Sequence, residues 1–379
     1  MQRWLWSCCK PSHDRRAVSE SLPLQLPFGP SVLTACIRTQ PQDFFVEELP
    51  AFEASGEGEH LLLTVEKRGM NTAFAAKCIA AWAGVAEMAV GYAGMKDRHA
   101  VTRQRFSVHM PKRIAPEIVA LESDELRVID SSWHARKLQR GALRGNRFVL
   151  RLRKVVGEPE AIDARLRVLR EQGFPNSFGE QRFGHGGGNL DAARRMFQGQ
   201  RVKREQRGLL LSAARSDLFN HVLAARVADG SWNIGLSGEL WMLDGTHSIF
   251  GPEPDPATLS DRVRTQDIHP TGPLWGRGAL RCDGDCRALE EATLAFAADI
   301  RAGLEQAGLN QERRSLRTPA RSLVWDWPDE RTIDLSFELP AGSYATSLLH
   351  MLGGVEDAAG VGRVAAMAES GRHSVLSVP

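Results

Sequence analysis

The chain has no apolar run long enough to cross a bilayer, because even VAEMAV and LLLTV are broken within a few residues. Its start, MQRWLWSCCKPSHDRR, has too short an apolar core for a secretory signal. Six cysteines (Cys8, Cys9, Cys36, Cys78, Cys282 and Cys286) are too few and too scattered for a disulfide framework. Together these absences make a cytoplasmic, reducing location the default expectation. Cys282 and Cys286 lack the second cysteine pair of a common zinc site; they could meet a histidine such as His269, but two loop thiols are the simpler reading, and no metal is expected. Nor is there a P-loop. FGEQRFGHGGGNLDAARR is glycine-rich before a helix but lacks the GK[ST] ending, so no nucleotide cofactor is expected. A nucleophile elbow and internal repeats are likewise missing, and the net charge of +2 does not by itself announce a polyanion partner.

What is present is an ordinary folded composition, 42% hydrophobic and 25% charged over 379 residues, enough for more than one core. The charge is unevenly spread. Arg136, Lys137, Arg140, Arg144, Arg147, Arg151, Arg153 and Lys154 form a run without an acidic residue, and Arg194, Arg195, Arg201, Lys203, Arg204 and Arg207 form a second. A solvated face would explain either cluster; so would a footprint for a phosphate backbone.

Residues 1–28 mix Trp, Cys, Pro, Ser and charge without periodicity, which predicts a mobile extension carrying Trp4 and Trp6. From Leu33 to Arg153 strand patterns dominate, notably Asp43 to Leu49, Leu61 to Val65 and Phe148 to Arg153. One helix interrupts them, with Asn71 as N-cap, Phe74, Cys78, Ile79 and Trp82 on one stripe, and Gly84 at its end. A second runs from Ala161 to Glu171. Helical segments then dominate the middle, at Leu190 to Gln198, Ser212 to Val227 and Leu289 to Ala307. Alternation returns at Ile333 to Leu339, followed by a helix capped by Ser343. Strands at both ends around a helical middle predict an α+β fold with an insertion: 29–172 plus 320–379 as one domain and 173–319 as the other.

The most informative stretch is GYAGMKDRHAVTRQRF, residues 91–106. Asp97 stands between Lys96 and Arg98 on a short loop, after a strand ending at Tyr92 and before one in which Gln104, Phe106 and Val108 share a face. Cations beside a carboxylate favour its charged form, which suits a nucleophile or a phosphate-side anchor. The same pattern also describes a surface turn.

This stretch resembles the catalytic motif of the TruD family of tRNA pseudouridine synthases, with Asp97 in the position of that family's nucleophile. Further similar segments follow in the family's order: DFFVEE (Asp43 to Glu48), GEGEH (Gly56 to His60), GNRF (Gly145 to Phe148), FGEQRFG (Phe178 to Gly184), LSAAR (Leu211 to Arg215) and LPAGSYAT (Leu339 to Thr346). The resemblance spans roughly residues 30–350. It implies a pseudouridine-synthase catalytic core with a mixed or antiparallel sheet, interrupted by a mainly helical α+β insertion domain, with RNA held between the two. It also implies a monomer acting on uridine 13 of tRNA.

The resemblance further implies site residues. Phe148 would face the target base, although it also fits the apolar face of a strand with Leu150 and Leu152. Asn146 could read a uracil edge or act only as a turn residue. Phe44 and Tyr344 would contact substrate, Tyr344 standing where the motif has phenylalanine. Arg38 could pair with Asp97 or lie on the surface. Arg182 could contact RNA backbone or mark a hinge. His99 is not expected to be the primary acid or base. Isomerising uridine conserves atoms and redox state, so no cofactor is expected. The rival readings are an RNA chaperone using the same basic surface without chemistry, and a hydrolase built on Asp97 and His99.

Overall fold

A sheet assembled from both ends of the chain organises the computed structural model, which describes residues 26–359. The expectations for Trp4, Trp6, Cys8 and Cys9 lie outside those residues. Leu26 and Phe28, expected in the extension, instead pack on the core, and the Phe28 carbonyl accepts from Arg165 Nη2 at 2.7 Å.

Seven strands come from the first half: β1 (Leu33–Ile37), β2 (Phe44–Pro50), β3 (His60–Arg68), β4 (Val90–Tyr92), β5 (Val101–His109), β6 (Leu126–His134) and β7 (Leu143–Val156). Between β3 and β4 lies α1 (Thr72–Ala83), and after β7 comes α2 (Pro159–Gln172). Helix α1 starts where Asn71 Oδ1 accepts the Phe74 N–H at 2.8 Å, and ends at Gly84, whose φ of 65° a glycine adopts freely. Its buried face differs from the expected stripe. Thr72, Ala75, Ala76, Ile79 and Ala80 face the sheet, while Phe74 is 51% exposed, because small side chains let the helix approach β4 and β5 closely.

The chain leaves the sheet at β8 (Phe174–Pro175). The segment that follows holds α3 (Gly188–Phe197), α4 (Arg204–Ala228), β9 (Glu239–Leu243), β10 (Ile249–Glu253), α5 (Ser260–Arg264), β11 (Ile268–Leu274), α6 (Gly284–Thr293), α7 (Ala298–Gln306) and β12 (Glu312–Ser315). Strands β10-β9-β11-β12 form a sheet of their own, and β13 (Arg317–Thr318) returns to pair with β8. Sequence pattern revealed these helices but not the small sheet, since Pro270, Gly272 and Pro273 disguise β11. The expected helix from Leu289 to Ala307 is broken in two around Leu294 to Ala297.

Between α4, this sheet and α6 lies a buried polar network. Arg226 Nη2 donates to Glu239 Oε2 at 2.6 Å, and Arg313 donates to both Glu290 oxygens at 2.6 and 2.8 Å. Cys282, in the loop before α6 as expected, and Cys286, within α6, are both buried beside these pairs, and their sulfurs lie within 4.8 Å of a Glu290 oxygen. A cation at this cluster would have to displace Arg313 from Glu290. The Cys286 thiol is pushed far up, first by its contact with Cys282, then by burial and the two carboxylates. His269, the suggested third ligand, is engaged elsewhere, with Asp244 at 2.9 Å and Arg317 at 3.0 Å.

The last strands, β14 (Arg321–Asp329), β15 (Thr332–Pro340) and β16 (Gly353–Asp357), rejoin the large sheet, with α8 (Ala345–Leu352) before β16. The order is β14-β15-β7-β2-β5-β3-β6, with β1 bridging β7 and β16, and β4 lying on β5. Pairs β1–β16 and β2–β5 are parallel and the rest antiparallel, so the sheet is mixed. Leu150, Leu152, Phe337, Ile162, Leu166, Leu348 and Leu352 close one core against α2 and α8. Leu63, Val65, Phe106, Val108 and Ile79 close another against α1.

Asp43 fastens the turn into β2. Its buried carboxylate accepts from Arg153 Nε at 3.0 Å and Nη2 at 2.7 Å, from the Gln40 N–H at 3.0 Å, and from the Thr39 hydroxyl. Burial raises its pKa, but these donors outweigh burial and hold it below the ordinary carboxylate value. A depressed carboxylate stabilises the fold fully above its unfolded pKa of about 3.9 and loses that contribution as pH falls through the folded value. Asp43→Asn should therefore cost about 2 kcal/mol at neutral pH in urea unfolding. The gap from wild type should close below about pH 4.

Candidate active site

The loop carrying Asp97 is placed by close packing around Gly91. A Cβ there would meet the Leu138 carbonyl at 2.6 Å and Ser107 Oγ at 2.7 Å, so only glycine lets β4 lie this near the 135–142 segment. Strands β4 and β5 then present residues 94–100 at one end of the sheet, beside the end of β1.

Asp97 is 40% exposed on its side chain, and its Oδ2 lies 2.9 Å from Arg38 Nη2. Oδ1 accepts the His99 N–H at 3.0 Å. Arg38 is far less exposed, and its guanidinium carbon stacks 3.9 Å over the Phe44 ring. Its other terminal nitrogen, Nη1, reaches Asp357 Oδ2 at 2.5 Å. The Arg38 backbone has φ of 57°, a region that costs a non-glycine residue energy and that clusters at functional sites. Arg38 is thus fixed from three sides: an aromatic face below, Asp357 behind and Asp97 ahead.

The cations adjacent to Asp97 in sequence do not hold it. Lys96 Nζ turns to the buried Glu48 Oε2 at 2.9 Å, and Arg98 Nε donates to the Gly69 carbonyl at 3.0 Å. Successive side chains leave a loop in different directions, so the sequence neighbours do not supply the partner, whereas the pairing with Arg38 that the resemblance suggested is present. The cation on Asp97 comes from the end of β1. Asp357 and the Lys96–Glu48 pair also belong to this site. Asp357 sits in no motif and arrives only because β16 pairs in parallel with β1, Ile37 opposite Asp357.

Phe44 contacts Phe148 edge-on at 6.3 Å between centroids, and Phe148 stacks on Phe337 at 5.4 Å. Phe148 is buried among Leu150, Leu152 and Leu335, so its ring belongs to the core that supports Phe44. Asn146 lies opposite Glu48 on β2 and Leu339 on β15. Its Oδ1 is buried without a hydrogen-bond partner among the described residues. Gly145 beside it lets β7 pass β15, since a Cβ would meet the Leu339 carbonyl at 2.3 Å.

Tyr344 and Arg182 form a separate group. Arg182 Nη2 donates to the Tyr344 hydroxyl at 3.2 Å and Nη1 to Ser212 Oγ at 2.7 Å, tying the segment before α8 to α4. The hydroxyl that tyrosine adds over phenylalanine therefore has a donor, and its ring edge remains partly exposed.

A partly exposed carboxylate paired with a largely buried arginine of positive φ, at one end of a mixed sheet, is the centre of this site. The family model described as tRNA pseudouridine synthase D (TruD) matches residues 32–191 and 191–352. The chain belongs to the TruD family of tRNA pseudouridine synthases. It is 56% identical over 359 residues to a tRNA pseudouridine synthase D of Xanthomonas campestris pv. campestris (strain B100), covering 91% of this chain and 98% of that one. A tRNA pseudouridine synthase D of Hydrogenovibrio crunogenus is 45% identical over 327 residues, covering 86% and 94%. The crystal structure described as that of a TruD protein from Methanosarcina mazei shares the fold, with a TM-score of 0.66 at 18% identity over 85% of this chain and 94% of that one.

Proposed function

We propose that this chain isomerises uridine 13 of tRNA to pseudouridine, with Asp97 as the nucleophile. The observation that carries the reading is the Arg38–Asp97 pair, in which a buried cation orients a carboxylate whose outer side is open to a substrate. The target nucleotide leaves its stack, at a cost of a few kcal/mol, and enters between the catalytic residues 29–172 plus 320–379 and the insertion 173–319. The Asp97 carboxylate adds to the substrate, at the ribose C1' or at uracil C6. The N1–C1' bond breaks and the base turns; C5 then bonds to C1', the bond to Asp97 breaks and returns the carboxylate, C5 loses its proton and N1 gains one, so the product is an isomer. Asn146 Oδ1 supports the reading as an acceptor in want of a donor, which the uracil N3–H would supply. Tyr344 offers an exposed apolar surface to the base and Arg182 a cation to the backbone, while Phe44, buried beneath the Arg38 guanidinium, holds that group flat beside Asp97.

The discriminating experiment incubates the protein with a tRNA transcript and maps pseudouridine by carbodiimide labelling. Label at position 13 with no change of RNA mass is expected. RNA binding without label would leave the chaperone reading, and release of free uracil would indicate a hydrolase.

A further inference from the structure

Lys67, on β3, is 1% exposed and has no carboxylate within ion-pair distance among the described residues. Its Nζ makes one hydrogen bond, 2.6 Å to the Met70 carbonyl. Burying an ammonium group with a single acceptor is costly, so the fold retains it against a penalty. What it secures is the turn from Gly69 to Thr72 between β3 and α1, and that turn grips the Asp97 loop on both sides of the carboxylate. Thr72 Oγ1 accepts the Lys96 N–H at 2.8 Å and donates to Gln104 Oε1 at 2.9 Å, while Gln104 Nε2 donates to the Gly94 carbonyl at 3.3 Å. On the other flank, the Gly69 carbonyl accepts from Arg98 Nε.

We propose that Lys67 is a positioning residue for the nucleophile, its buried ammonium holding the Gly69–Thr72 turn and, through it, the Lys96–Arg98 loop in the geometry that presents Asp97 to uridine. This rests on Asp97 being the nucleophile. The charged groups facing Lys67 are Lys96 and Asp97 on the β4–β5 loop, and Lys96 is itself paired with Glu48 of β2. Its neighbours on β5 and β6, Thr102 and Leu126, do not titrate. Burial, together with Lys96 and against the attraction of Asp97, brings Lys67 down to about 8. Above that pH the ammonium discharges, its bond to Met70 weakens, and the loop loses its anchor.

The test is single-turnover pseudouridine formation by the full-length protein on a tRNA transcript from about pH 6.5 to about 9.5, with tRNA affinity and thermal unfolding followed in parallel. The wild-type rate is expected to fall with a midpoint near 8. Lys67→Met should lose roughly 10- to 100-fold in rate at neutral pH, keep its tRNA affinity within about twofold, and show no alkaline fall. Thr72→Val, which breaks the clasp without touching the lysine, should lose about tenfold and keep the alkaline fall. A Lys67→Met protein with wild-type rate, or with the alkaline fall intact, overturns the proposal. Should that variant fail to fold, a flat wild-type profile or a Thr72→Val protein of wild-type speed overturns it instead. Asp97→Asn in the same assay separates the two levels. If it stays active, the nucleophile assignment falls; if it is dead while both clasp variants are fast, only the role of Lys67 falls.

Discussion

Replacing Asp97 by Asn is expected to slow pseudouridine formation by at least about 10³-fold, ~4 kcal/mol of transition-state stabilisation, with tRNA affinity nearly unchanged. The amide has almost the shape of the carboxylate, so its oxygen can still accept the His99 N–H that now reaches Oδ1. Arg38 keeps Asp357 as an anionic partner and Phe44 as its stacking face, so the pocket around it stays built. What the amide lacks is the negative charge and nucleophilicity needed to form a bond to the nucleoside. Binding draws on surfaces far larger than one carboxylate, and removing a negative charge near the RNA backbone can only help it. A variant within about tenfold of wild type would mean that Asp97 positions the substrate and another group makes the bond.

The second large effect lies in the segment between β8 and β13. Arg313→Met should cost about 3–5 kcal/mol of stability, because Glu290 would be left buried and charged with no cation touching it. Burial alone would lower the Arg313 pKa, yet the pull of Glu290 and its two hydrogen bonds holds it above the ordinary guanidinium value. The pair is therefore strongly coupled, and breaking one half costs more than removing both. Arg313→Met combined with Glu290→Leu is expected to recover much of the loss. Urea unfolding followed by tryptophan fluorescence reports on this region, since Trp241 and Trp275 are buried there. A loss under about 1 kcal/mol for the single variant would show that the carboxylate finds water or a proton instead.

Elements governed by local rules were readable in the chain. The Asn71 cap, the glycine end of α1, the alternation of β5 and β7 and the long helix α4 all follow from side chains acting within a few residues of themselves. Failures occurred where a partner came from elsewhere. The stripe expected on α1 assumed that large apolar residues face the core, whereas the sheet accepts alanines at close range and leaves Phe74 outside. Strands β9 to β12 are short, and β11 contains two prolines, which local pattern assigns to loops. At the site, Asp97 was recognisable, and the family resemblance offered Arg38 as a partner, but local pattern pointed to the adjacent Lys96 and Arg98, because periodicity says nothing about which side chain a distant strand delivers. Lys67 was hidden for the same reason: in the sequence EKRGMN it reads as one more exposed charge.

The parallel pairing of β1 with β16 sets the order in which the enzyme can be born. Arg38 is synthesised early, but Asp357, which braces it from behind, emerges only after the whole inserted segment has been made. N-terminal parts of a nascent chain fold first where they can, yet here the first strand, though it can pair early with β7, has its other edge waiting for one of the last. A ribosome that stalls or a protease that cuts before residue 357 leaves Arg38 without its brace and one edge of β1 unpaired. Activity would then appear late and abruptly during synthesis, after nearly the whole described chain has emerged.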